Sequence, residues 1–524
     1  MKRLFNQFSR ENSVRGASLI LIITLAISNI LGLLRDRFLA KNISTYYLDT
    51  YYASFRIPDL IFNFLILGAI TSAFIPVFSD FLANKEEKKA WRITNELVNL
   101  AVVTMIGFGV LLYFLMPYLI PLLVPGFAQD RLNETIKYSR LLMVTPVFFS
   151  ISYIMGGVLN SYRRFFAYSL APLFYNTSII VGALWVAPRY GVLGVVYSVI
   201  VGSFLHLLIQ VIPVVRMGYR YKAIISFKDT AIKKILTLMI PRTISMGANQ
   251  VMLVVYTAIA SALTAGSISA FTYANNIETV PVVVLGTSFA TAVFPTLASK
   301  ISSGDKSAFA FYLNRSVRTI GYVLIPTSIL MILLRAHIVR LILGSGKFNW
   351  QDTRMTALAL GFFAFSILAQ GLIPLLAKAF YALKDTKTPM YISIATVATS
   401  SLIAYPLSQQ FSVAGLALAF SIGSYFNAIA LIYYLKKIYS EIFDTSFIAS
   451  FFRTLSISVV AGGFVWAGLH LFSSMVDMTR FWGVLTQAIL SSVIGLAIFL
   501  LLSRLFDQEE LRWAVTRRIN EKDV

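Results

Sequence analysis

The sequence predicts an all-α polytopic membrane protein of about fourteen transmembrane helices, arranged as two pseudo-symmetric six-helix lobes plus two extra C-terminal helices. Three observations carry that expectation. Of 524 residues, 57% are hydrophobic and 13% charged, a balance foreign to soluble domains of this length. Apolar runs of about 20 residues, enough to cross a ~30 Å hydrocarbon core, recur from end to end. The chain also repeats itself. Gly194 and Gly202 in GVLGVVYSVIVGSFLHLLIQ (191–210) are answered by Gly415 and Gly423 in SVAGLALAFSIGSYFNAIAL (412–431), and Pro76 in the first half is answered by Pro295 in the second. A membrane chain built of two similar halves usually carries its substrate path between them.

The elements follow in order. The basic start, MKRLFNQFSRENSVRG, enters an apolar run with no small-residue cleavage site and reads as a retained first span. Spans are expected at 17–40, 50–83, 93–123, 136–160, 166–187 and 191–215, then 236–263, 267–299, 311–341, 354–382, 389–407 and 412–436, and finally 448–473 and 481–504. This divides the chain into an N-lobe (1–216), a basic cytoplasmic connector (217–235), a C-lobe (236–437) and a last section (438–524) with two helices outside the repeat and a basic tail. Six spans per repeat is even, so both copies enter from the same side and relate by an axis along the membrane normal. Loop charge sets the orientation. Lys85, Lys88, Lys89 and Arg92, then Arg163 and Arg164, Lys384 and Lys387, and Lys436 and Lys437 alternate with outer loops that are poor in basic residues. Both termini are therefore expected in the cytoplasm. Arg335, Arg340, Lys347 and Arg354 are a local exception.

The net charge of +22 points to loops facing anionic lipid, not to nucleic acid, because the basic residues lie between apolar runs. There are no cysteines, and the three histidines, His206, His337 and His470, lie far apart, so no metal site is expected. GSGK at 344–347 is not a phosphate-binding loop, since Leu341 and Phe348 stand where glycine and a hydroxyl residue are needed. No GxSxG or HExxH pattern occurs, and the chain does not read as an enzyme.

Charged groups within apolar spans cost about 2.5–3.5 kcal/mol each on insertion scales and need a reason. The first two spans hold Arg35, Asp36, Arg37, Asp49, Arg56 and Asp59. They either lie at helix ends among headgroups or line a cavity where guanidinium forks bind an anionic head group, with Asp36 or Asp49 holding the arginines in its absence. In the second half, Asn275 falls opposite Arg56, close to Asn276 and Glu278. These three either face the cavity or hydrogen-bond between helices. Pro58, Gly68, Pro76, Pro281, Gly286 and Pro295 predict bends in spans 2 and 8, as hinges or as ordinary packing.

Several motifs resemble the MurJ/MviN lipid II flippase family of the MOP exporter superfamily. They are LGLLRDRFLA (31–40), FRIPDL (55–60), GAITSAFIPVF (68–78), GVLNSYRRFFAYSLAPLFYN (157–176), AGSISAFTYANNIETVPVVVLG (265–286) and DTKTP (385–389), matching in place and order. The chain looks like a divergent member: Asn29 and Asn276 stand where arginine is usual, Phe62 and Asn63 replace a basic pair, and Leu67 replaces an acid. The resemblance implies two six-helix lobes around a cationic cavity, with spans 13 and 14 forming a groove for a polyprenyl tail. It implies movement of undecaprenyl-pyrophosphate-linked peptidoglycan precursor from the inner to the outer leaflet by alternating access. Arg35, Asp36, Asp49, Arg56, Asn275, Asn276 and Glu278 become the substrate-binding candidates, with Arg35 and Arg56 on the pyrophosphate. No cofactor is expected, and the drive would be a coupling monovalent cation or the membrane potential. The expected partners are the glycan lipid, membrane lipids and cell-wall synthesis enzymes, with the protein a monomer in the bacterial cytoplasmic membrane. A flippase for another polyprenyl-linked glycan, a cation-coupled multidrug exporter and a non-transporting scaffold remain as alternatives.

Overall fold

In hydrocarbon a chain satisfies its backbone N–H and C=O groups either within helices or in a closed barrel, and here the long apolar runs fold as helices. The computed structural model describes residues 14–64, 74–224, 247–439, 442, 445–506 and 508–511, with no strand among them. In the first half the helices are α1 (Val14–Asn42), α2 (Thr45–Ser54), α3 (Arg56–Phe62), α4 (Ile75–Ala83), α5 (Glu87–Leu123), α6 (Gln129–Leu142), α7 (Thr145–Ser161), α8 (Phe165–Val181) and α9 (Ala187–Arg216). Helix α10 (Gly247–Ser261) follows. Then come α11 (Ser267–Pro281), α12 (Ser288–Ser302), α13 (Lys306–Leu343), α14 (Trp350–Ala382), α15 (Lys387–Phe411), α16 (Val413–Ile438), α17 (Thr445–Ser473) and α18 (Phe481–Leu505). Among the described residues, ten helical stretches are long and apolar enough to cross a membrane. One of them, the 52-residue stretch Phe165–Arg216, takes in two expected spans because the helical path breaks at Gly191 (φ +59°, ψ −142°). The expected spans 50–83 and 236–263 run partly through residues outside the described set. Gly68, most of the connector and the basic tail also lie outside it.

The chain forms two units, Met1–Ser269 with Ser345–Phe348, and Ala270–Gly344 with Asn349–Val524. The first unit reaches past the expected connector and keeps α10. Its hydrogen bonds show why: Arg56 Nε donates to Thr257 Oγ1 at 2.8 Å, and the Gly126 N–H donates to Ser261 Oγ at 3.3 Å. Within this unit α8 packs against α1 and α9, and α9 also packs against α7. Gly202 makes the α8–α9 approach close, since a Cβ there would sit 3.0 Å from the Tyr175 carbonyl oxygen. The GSGK segment serves packing: Lys347 N–H donates to the Lys41 carbonyl at 3.0 Å, and a Cβ on Gly346 would fall on that same carbonyl.

In the second unit α14 lies against α13 and α16, and α15 packs on α16. The repeat glycine does the same work here as in the first unit: a Cβ on Gly423 would sit 2.8 Å from Ser400 Cβ, across the α15–α16 contact. Small residues permit such approaches between membrane helices. Helices α17 and α18 pack on each other and on α13.

The repeat also extends to backbone turns that sequence reading did not register. Lys85 and Gly304, Arg163 and Lys384, and Gly191 and Ser412 occupy matching places in the two halves, and all six have positive φ. In span 8, where a bend is expected, a π-helical stretch, Val282–Thr287, follows Pro281 directly. At the matching place in span 2, residues 63–64 are also π-helical.

Candidate functional site

The seven candidate residues divide between the units, four in the first and three in the second. Arg35 lies near the C-terminal end of α1. Its Nε and Nη2 donate to Asp36 Oδ1 at 3.0 and 2.8 Å, and its Nη1 donates to Asn176 Oδ1 of α8 at 3.2 Å. The Asp36 side chain is 2% exposed and that of Arg35 22%. The guanidinium is thus held by a buried carboxylate and a buried amide. This is the arrangement expected of an arginine kept in place by Asp36, although Asn176 was not foreseen as its second partner.

Asp49 is placed differently. Its Oδ1 accepts from Ser269 N–H and Ser269 Oγ, both at 2.8 Å, and its Oδ2 accepts from Gly266 N–H at 2.7 Å and Arg131 Nη2 at 3.3 Å. These donors fill both carboxylate oxygens. Two of them are backbone N–H groups at the start of α11, where a helix has unsatisfied donors and favours negative charge. Arg131 is clamped over the rings of Phe127 (3.7 Å) and Tyr46 (4.4 Å). Asp49 is thereby engaged in holding α2, α6 and the start of α11 together. The polar stretch QDRLNE (129–134) was the only sign of Arg131 in the sequence.

Arg56 opens α3 one turn before Asp59. Among the described residues its single hydrogen bond is to Thr257, and no carboxylate lies within 4.0 Å of it. A guanidinium has five N–H groups, so the described residues engage only one donor of this half-buried cation. It is the strongest candidate here for receiving a doubly charged, oxygen-rich group.

In the second unit Glu278 of α11 has 0% exposure. Ser366 Oγ and Gln370 Nε2 of α14 both donate to its Oε1, at 3.0 and 2.9 Å. Its Oε2 is buried with no hydrogen-bond partner among the described residues. Asn275 and Asn276 are half-buried, and the Asn275 carbonyl accepts from Thr279 Oγ1 at 2.7 Å. The structure thus separates the three: Glu278 faces α14, while the two asparagines keep part of their surface open. Ser366 and Gln370 escaped sequence reading because in one dimension they look like ordinary polar residues of a membrane helix. Farther along α14, Lys378 Nζ donates to Thr291 Oγ1 at 2.6 Å.

Two apolar cavities adjoin α13 in this unit. One, of about 280 Å³, is lined by Tyr322, Pro326, Ala461, Val465, Gly495 and Phe499, from α13, α17 and α18. The other, of about 320 Å³, is lined by Ile325, Leu368, Leu372, Tyr425 and Phe451, with Arg318 among its lining residues. Arg318 is paired with Glu509 at 3.0 Å and Glu510 at 2.6 Å. Beyond α18, therefore, the described end of the chain is fastened to α13.

Comparison with known proteins agrees with this architecture. The chain is 26% identical over 430 residues to the lipid II flippase MurJ of Burkholderia cenocepacia, covering 78% of this chain and 81% of that one. A solved structure of lipid II flippase MurJ in an inward closed conformation superposes with a TM-score of 0.78 at 23% identity, over 94% of this chain and 99% of that one. An inward-facing multidrug resistance MATE family transporter of the MOP superfamily shares the fold at a TM-score of 0.68 and 14% identity, over 80% and 98% of the two chains. The sequence profile described as Lipid II flippase MurJ matches residues 44–486, and the chain belongs to that family.

Proposed function

We propose that this protein is a flippase that moves undecaprenyl-pyrophosphate-linked peptidoglycan precursor, lipid II, from the inner to the outer leaflet of a bacterial cytoplasmic membrane by alternating access. Arg56 is the observation that carries the reading. A half-buried guanidinium with a single hydrogen bond, to Thr257, and no paired acid among the described residues is costly in a membrane helix. A pyrophosphate would repay that cost with bidentate, charge-assisted hydrogen bonds. Arg35, anchored by Asp36 and Asn176, is suited to the same kind of group.

Asp49 has the supporting role of fixing the helix ends that bear on this region. Asn275 and Asn276, half-buried on α11, offer amides suited to the sugar or peptide portion, and Glu278 suits a coupling cation. The apolar cavity between α13, α17 and α18 suits a polyprenyl tail. The protein catalyses no covalent chemistry in this scheme, and both termini face the cytoplasm.

The test is reconstitution with purified lipid II. Wild-type protein is expected to make lipid II accessible on the opposite leaflet, and Arg56→Ala is expected to lose that activity while remaining monodisperse. Full activity in Arg56→Ala would refute the assignment of Arg56.

A further inference from the structure

We propose that Glu278 is a proton-binding site whose occupancy is tied to the π-helical stretch in its own helix, so that transport responds to a pH gradient. Its consequence for transport rests on the flippase reading; the proton site itself does not. Asp36, Asp49, Glu96 and Glu510 are as deeply buried as Glu278, and each is paired with an arginine: Arg35, Arg131, Arg92 and Arg318. Glu278 has no such partner among the described residues. Its neighbours are neutral, Ser366 and Gln370, and both serve one oxygen. The other oxygen is buried and, among the described residues, without a hydrogen bond. An ionised carboxylate brings several lone-pair sites that must be filled, and an unpaired buried charge is among the least tolerable arrangements in a protein interior. A proton on Glu278 removes that charge, so this packing holds the neutral acid.

Several charged groups on α13 and α14 are engaged elsewhere. Glu278 is the only charged residue between Ser267 and Thr287. On α14, Lys378 is bound to Thr291, while Asp352 closes the capping box at the start of that helix. On α13, Arg318 is held by Glu509 and Glu510, and Arg335 donates to the Ile332 carbonyl.

The link to conformation is a contact one residue from Gln370. The π-helical stretch Val282–Thr287 follows Glu278 within about a turn. Its Gly286 lies so close to α14 that a Cβ would sit 2.6 Å from Gly371 Cα. Single π-helical turns are frequent at functional sites, and this one bears on the residue next to the donor that serves Glu278. A rearrangement of this stretch displaces Gln370 from Oε1 and admits water to Oε2, and ionisation then becomes tolerable. The step exchanges one proton with water and makes or breaks no bond other than O–H. Return to the present packing requires the proton back.

The experiment uses full-length protein in two preparations. In nanodiscs without substrate, the infrared difference spectrum between neutral and alkaline pH is expected to show loss of a protonated-carboxyl C=O band that Glu278→Gln lacks. In proteoliposomes with lipid II, a pH gradient of one unit is expected to change the wild-type flipping rate by up to about tenfold, the limit for one coupled proton. Glu278→Gln is expected to lose that response. If Glu278→Gln does not fold, Gln370→Ala replaces it: withdrawing one donor must shift the band. No band assignable to Glu278, a band unmoved in Gln370→Ala, or a Glu278→Gln protein that follows the gradient like wild type would each overturn the proposal. A wild-type protein that shows the band but flips no lipid II leaves the proton site standing and refutes the cargo.

Discussion

Arg56 and Asp49 look alike in the sequence, each a charge near the end of an apolar run, yet the fold gives them opposite situations. Among the described residues Arg56 has one hydrogen bond and no acid partner within 4.0 Å, whereas both Asp49 oxygens are filled. Arg56→Lys is accordingly expected to weaken substrate binding by about 1.5–3 kcal/mol, the scale of a hydrogen bond to a charged group, as read by ligand titration, with little change in melting temperature. Asp49→Ala is expected to act the other way. It leaves Arg131 buried without its partner and should destabilise the protein by about 3–5 kcal/mol, visible as a lower Tm in detergent, while any protein that folds binds substrate normally. Sequence alone could not separate these cases. It shows which residues are costly in a membrane but not which partners lie far away in the chain, such as Thr257 for Arg56 or Ser269 for Asp49.

At the scale of elements, helices and their interruptions were legible because hydropathy, proline and glycine act locally. The π-helical stretch after Pro281 lies where a bend was expected, and Gly202 and Gly423 sit at close helix contacts. The positive-φ turns were not legible, because Lys85, Arg163, Lys384 and Ser412 are not glycine and leave no compositional mark. Such residues store strain of about 1–2 kcal/mol each. Ser412→Gly is therefore expected to stabilise the protein by up to about 1 kcal/mol, since Gly191 already holds the matching turn in the first half; thermal unfolding in detergent checks this. Gly423→Leu is expected to destabilise by about 1–3 kcal/mol through overpacking against Ser400.

For the whole molecule, the doubling seen first in glycines and prolines proves deeper, reaching turn geometry and helix packing in each half. The division into units nevertheless falls at Ser269 and Ala270, beyond the connector that composition suggested, because hydrogen bonds tie α10 to the first unit. Family membership and architecture agree on a membrane transporter, and the central claim concerns its cargo. The most direct measurement is outer-leaflet exposure of lipid II in the host while this protein is depleted and no other lipid II flippase is present. The account predicts that exposure falls as the protein is lost and that lipid II accumulates on the inner leaflet. Undiminished exposure after depletion would contradict it.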